Sequence, residues 1–253
     1  PTVDPFCDNY HAIIRAIEKG YDNILFRLLR DDRIDMSFNN NVILRYAIRC
    51  KNNKIINLIL HDDSFDIKLG FTNIMLDACQ FGNVKVLEVL MQFDSPSLKD
   101  VLSSSFINAC KYGYIEIIKI LLSSPNIDIS FKQNQALIYA LSKKMYSVCN
   151  LIVDDYRFDI INNHYIIDTI LQNQIRKEEH DLLIKILNIV NKKIDDNYNV
   201  DELINILSRN RDYLKIFLYK KNIVNRLSIN TINNILKLKV LPIYKSIVNE
   251  RTL

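Results

Sequence analysis

Residues 106–122 read Phe106-Ile107-Asn108-Ala109-Cys110-Lys111-Tyr112-Gly113-Tyr114-Ile115-Glu116-Ile117-Ile118-Lys119-Ile120-Leu121-Leu122. Gly113 divides the stretch in two. Downstream of it, Ile117, Ile118, Leu121 and Leu122 stand at i, i+1, i+4 and i+5, one face of a 3.6-residue helix. Upstream, residues 106–112 spell a second short helix. Glycine suits the junction because a left-handed residue after a helix costs it least. The stretch predicts a helix–turn–helix unit.

The same unit recurs along the chain at a step of 31 residues. Ala16, Ala47, Ala78, Ala109 and Ala140 form one register, where a small side chain lets two helices approach closely. Gly20, Gly82 and Gly113 form a second, with Lys51 and Lys144 filling its gaps, so those two turns are expected to differ in geometry or to carry strain. The pairs Leu28-Leu29, Ile59-Leu60, Leu90-Met91, Leu121-Leu122 and Ile152-Val153 form a third. Asp35, Asp66, Asp128 and Asp159 form a fourth, with Ser97 standing in once; each Asp is expected to fix its loop by bonding nearby backbone. Neighbouring Asp residues then lie one helix layer apart, about 10 Å, too far to share an ion. Gly70 falls outside the turn register, in the loop before the third unit.

The units resemble ankyrin repeats. Ala12-Ile13-Ile14-Arg15-Ala16 stands where that family starts its first helix, and Asn126-Ile127-Asp128-Ile129-Ser130 where it places its loop. The family's Thr-Pro and His are absent, and the stretch after the Asp is about three residues short of the family pattern. The short form is similar to divergent arrays of giant DNA viruses and amoebae. The resemblance implies an all-α helical solenoid of about eight units. Residues 1–10 would lead in, 11–163 would hold five repeats, and 164–253 would hold three degenerate repeats and a cap. Helices are expected at 165–173, 179–190, 201–208, 212–220, 229–239 and 242–249; a separate C-terminal helical domain is the alternative.

Composition agrees with a helical array. Of 253 residues 49% are apolar, and only 4 are Gly and 5 Pro, where average usage gives about 18 and 13. Turn-rich sandwiches and Gly-rich phosphate loops are excluded on that count. Ile (40) and Asn (29) are abundant. No apolar run reaches the ~18–20 residues of a membrane span and no leader is expected, so the expected partners include no membrane. Five Cys without a CxxC favour a reducing compartment, the cytoplasm, or a host's cytoplasm if the source is viral.

Catalytic and metal-binding patterns are missing. The four His (11, 61, 164, 180) show no HExxH spacing, so no cofactor or metal is expected. His61 follows a helix end, where a cation satisfies terminal carbonyls. Cys79 and Cys110 share a position with Ile17, Ile48 and Leu141, so they read as core filler. The acid pairs Asp31-Asp32, Asp62-Asp63 and Asp154-Asp155 read as loop solubility.

These absences leave binding. The resemblance implies a non-catalytic, monomeric scaffold or adaptor holding a protein on its concave face. The two residues before each turn are the candidates: Arg49, Gln80, Phe81, Lys111, Tyr112 and Lys143. Phe81 and Tyr112 in adjacent units would form an aromatic ladder flanked by Arg49, Lys111 and Lys143, the make-up of a binding hot spot; alternatively both rings cover their own turns. A structural or assembly component is a second reading. Residues 203–253 carry 10 basic side chains against 2 acidic ones, while 1–202 carry 23 against 27. The cluster Arg209, Arg211, Lys215, Lys220 and Lys221, with Arg226, therefore offers a third, binding of nucleic acid or anionic lipid.

Overall fold

The computed structural model describes residues 10–31, 33–62, 65–93, 96–159, 165–172, 177–193, 200–208, 213–214 and 217. The basic cluster at 209–226 and the helices expected at 229–239 and 242–249 lie outside these, apart from Tyr213, Leu214 and Phe217. The described residues form α-helices and no strand. They are α1 (His11–Lys19), α2 (Asp22–Leu28), α3 (Phe38–Arg49), α4 (Asn53–Leu60), α5 (Phe71–Phe81), α6 (Val84–Met91), α7 (Lys99–Tyr112), α8 (Ile115–Ser123), α9 (Phe131–Ser142), α10 (Tyr146–Val153), α11 (Tyr165–Gln172), α12 (Lys177–Lys193) and α13 (Val200–Leu207). None is long and apolar enough to cross a membrane.

The chain divides into two compact units, Pro1–Phe131 and Lys132–Leu253. In the first, α1, α3, α5 and α7 pack in series, each also touching its own second helix, and α6 lies against α8. In the second, α10 packs on α12, and α11 packs on both α12 and α13. Helices two apart in sequence thus lie side by side in both units.

The five helix pairs from α1–α2 to α9–α10 are joined by one backbone device. The residues at the turn, Gly20, Lys51, Gly82, Gly113 and Lys144, are all left-handed, with φ of 69°, 55°, 82°, 77° and 57°. The next residue donates its N–H to the alanine carbonyl five residues back: Tyr21 to Ala16 (2.9 Å), Asn52 to Ala47 (2.9 Å), Asn83 to Ala78 (2.8 Å), Tyr114 to Ala109 (3.1 Å) and Met145 to Ala140 (2.9 Å). This is the Schellman ending. The donor residue then starts the following helix, and Asn52 and Asn83 cap it by accepting from Ile55 and Val86. Lys51 and Lys144 therefore keep the glycine geometry; what they carry is strain. The alanines are at most 4% exposed, so the close-approach reading of that register holds.

A second left-handed register lies at the start of the first helices. Asn39, within the first turn of α3, Gly70, just before α5, and Lys132, within the first turn of α9, are three such positions, with φ of 48°, 70° and 51°. Asn39–Asn41 and Lys132–Asn134 each run left-handed for three residues. Gly70 is not a stray loop glycine, because a Cβ there would lie 2.6 Å from the Asn40 carbonyl oxygen of the preceding repeat.

Loops are tied within and between repeats. Asp35, Asp66 and Asp128 each accept from the backbone N–H two residues on, at 2.8–3.0 Å. The same loops are reached by a polar side chain 25 residues earlier. The Tyr10 hydroxyl accepts from Asp35 N–H, Asn41 donates to Asp66 O, the Ser103 hydroxyl accepts from Asp128 N–H, and Asn134 donates to Asp159 O. Two of the acid pairs do more than dissolve loops: Asp31 binds the Arg33 backbone and guanidinium, and Asp155 does the same to Arg157. The Arg33 contacts hold the Asp31 carboxyl down at about 2. At Asp155 burial pushes upward, but the Arg157 hydrogen bonds outweigh it and the carboxyl lies below its usual range.

Lys51→Gly should stabilise the chain by about 1 kcal/mol, the usual order of a left-handed penalty. Gly82→Ala should cost more than Gly20→Ala, since its Cβ would meet the Tyr114 ring at 2.8 Å while nothing lies within 4 Å at Gly20; urea denaturation ranks the three. Because the folded carboxyls are depressed, their contribution is complete above the unfolded value of 3.8 and is lost as pH falls below it, for Asp31 down toward about 2. Asp31→Asn with Asp155→Asn should flatten stability against pH in that window, measured by urea midpoints.

Candidate protein-binding face

The residues singled out before the turns occupy the C-terminal ends of the first helices. Arg49 closes α3, Gln80 and Phe81 close α5, and Lys111 and Tyr112 close α7. These helices pack in series within the first unit, so the five residues come from neighbouring rungs. Lys143, after α9, belongs to the second unit.

The aromatic residues differ in setting. Tyr112 is 41% exposed and Phe81 half-buried. The Tyr112 ring stacks on Tyr114 of its own turn, with centroids 6.2 Å apart, and the Lys111 ammonium stands 5.6 Å from the Tyr112 centroid. Tyr114 in turn lies over Gly82, the turn residue following Phe81. Tyr114 thus touches both turn tips, a role that reading only the two pre-turn positions missed. Its place immediately after Gly113 was the available signal.

Arg49 is engaged within the fold. Its Nε and Nη2 donate to Asp77 at 3.2–3.4 Å, Arg45 Nε donates to the same carboxylate at 2.8 Å, and the Arg49 guanidinium lies 5.7 Å from the Tyr46 centroid. The Asp77 side chain is only 9% exposed, against 24% and 38% for Arg45 and Arg49. A buried carboxylate needs such partners, because a lone charge in a low-dielectric interior is costly. Arg45 and Asp77 were not candidates from sequence. Asp77 shares its repeat position with Arg15, Tyr46, Asn108 and Tyr139, so an acid standing alone in a helix register was the legible clue.

Other turn tips are also polar. In the first unit Asp22 accepts from Lys54 (2.9 Å) and Asn52 (3.1 Å), contacts that hold its carboxyl below the usual range. Tyr21 (55% exposed) and Ile24 (51%) stand beside it. His61 at the end of α4 bonds the Asn57 carbonyl at 2.6 Å, the helix-end role expected of it. Among the described residues no group of His, Cys, Asp or Glu is placed to hold a metal ion.

Burial pushes the Cys79 and Cys149 thiols up to about 12, against a small opposing effect of the Ser105 hydroxyl at Cys79. Cys110 is buried as well, while Cys50 is exposed. A thiolate is the reactive form, so maleimide under native conditions should modify Cys50 and spare Cys79, Cys110 and Cys149 until denaturant is added. Peptide mass mapping reads the outcome.

Residues 74–164, from within α5 to beyond α10, match the family model for ankyrin repeats, in three copies. No curated protein and no solved structure matches the chain. The matched span holds the Schellman turns at Gly82, Gly113 and Lys144 and the Asp128 and Asp159 loops, so the repeat read from the 31-residue step is the family's own unit there, and residues 74–164 are ankyrin repeats.

Proposed function

We propose that the chain is a non-catalytic scaffold or adaptor that binds a protein partner across the turn ends of its first helices. The exposed Tyr112, stacked on Tyr114 beneath Lys111, is the observation that carries this reading. Ankyrin repeats generally mediate protein–protein interaction, and aromatic residues beside cations are the composition of binding hot spots. The mechanism is rigid display: side chains fixed by Schellman turns lose little ordering entropy when a partner arrives. The contact set in the first unit comprises Arg49, Gln80, Phe81, Lys111 and Tyr112; Lys143 is the corresponding candidate of the second unit, taken by itself. The array is taken to run as five repeats over 11–163, followed by degenerate repeats and a cap.

Phe81→Ala with Tyr112→Ala should leave helical content intact and weaken partner capture about 30-fold, the effect of losing a hot spot of ~2 kcal/mol. Affinity capture from the native cell with quantitative mass spectrometry measures it. Recovery of the same partners at the same level by the double variant sinks the proposed site.

A further inference from the structure

The ion triad on α3 and α5 is unbalanced. Arg45 and Arg49 share one carboxylate, that of Asp77, so the cluster holds one excess positive charge. The carboxylate's capacity is taken up: Oδ2 accepts from Arg45 Nε and Arg49 Nη2, and Oδ1 from Arg49 Nε and Nη2. The guanidiniums have capacity left, since each carries five N–H donors. Asp77 engages Arg45 through Nε alone, and leaves Nη1 of Arg49 unused. Both side chains remain open to solvent, while the acid between them is buried.

We infer that Arg45 and Arg49 form a fork that binds an Asp or Glu side chain of the protein partner, with Asp77 and Tyr46 holding the two guanidiniums in position. The inference rests on the proposed partner-binding reading and adds the chemistry of the group received. Arginine's planar donors match a carboxylate in paired N–H···O bonds. Asp77 has already ordered both side chains during folding, so binding does not bear that entropy again. One excess charge suits a monoanion. A nucleic-acid strand instead wants several cations spaced along its backbone. The repeat register does not supply them: the position of Arg49 is Glu18 one repeat earlier and Gln80 one repeat later.

Fluorescence anisotropy on the full chain tests this with three labelled probes at low salt: a peptide of alternating Glu and Ala, its Gln counterpart, and oligouridylate. The Glu peptide should bind about tenfold more tightly than the Gln peptide, the order of a charge-assisted hydrogen bond. Arg45→Gln with Arg49→Gln should remove that preference, while Arg49→Lys, which keeps charge but not the planar donors, should lose part of it. Arg30→Gln, two residues past the end of α2, should change nothing. If the double variant unfolds in urea far earlier than the wild type, Arg49→Gln alone serves, since Arg45 still satisfies Asp77. Equal binding of the Glu and Gln peptides overturns the inference, as does a preference retained by the variants. Tighter binding of oligouridylate that the same substitutions abolish overturns it too and assigns the fork to phosphate. Partner capture by the Phe81/Tyr112 variant reports separately on the partner-binding reading, so either can fail alone.

Discussion

One backbone hydrogen bond underlies the architecture: the N–H after each turn donates to an alanine carbonyl five residues back. It can form only if the intervening residue is left-handed, and all five turns meet that condition. The donor residue also begins the next helix, so no slack separates the two. Each repeat is therefore a preset pair of helices, and stacking has only to bury the alanine face between neighbours. Glycine meets the backbone demand without cost. Where lysine stands instead, the bond persists and the strain is borne by the stack.

Between repeats a second set of ties uses whatever chemistry reaches. Tyr10, Asn41, Ser103 and Asn134 hold the same repeat position and bond the following Asp loop, some as donors and some as acceptors. The loops accept this variety because backbone N–H and C=O groups both lie exposed there before the tie forms. The acids of these loops fix their own backbone and, at Asp31 and Asp155, clasp an arginine two residues on. Charge that looks like solvation in the sequence is spent on loop order.

The binding face inherits its rigidity from these turns. Tyr112 and Phe81 end helices whose last turns are locked, and Tyr114 fills the space above Gly82. Two arginines on α3 are held by a carboxylate from the next repeat. Electrostatic order on this face is thus a property of two repeats together, which no single unit carries.

Spacing alone was enough to read the repeat, because period 31 repeats the same physical demands: a small residue where helices meet, a left-handed residue at the turn, an acid in the loop. The all-α class, the helix–turn–helix units and the burial of Cys79 and Cys110 were legible for that reason. The candidate face was legible only as positions. Whether Arg49 stood free or bound, and that Gly70 must clear the Asn40 carbonyl, depended on groups about thirty residues apart in the chain. Such pairs leave no local pattern. The sequence by itself determined the unit and its step; the tertiary stack decided which charges were neutralised and which donors were left open, because only packing brings α3 against α5.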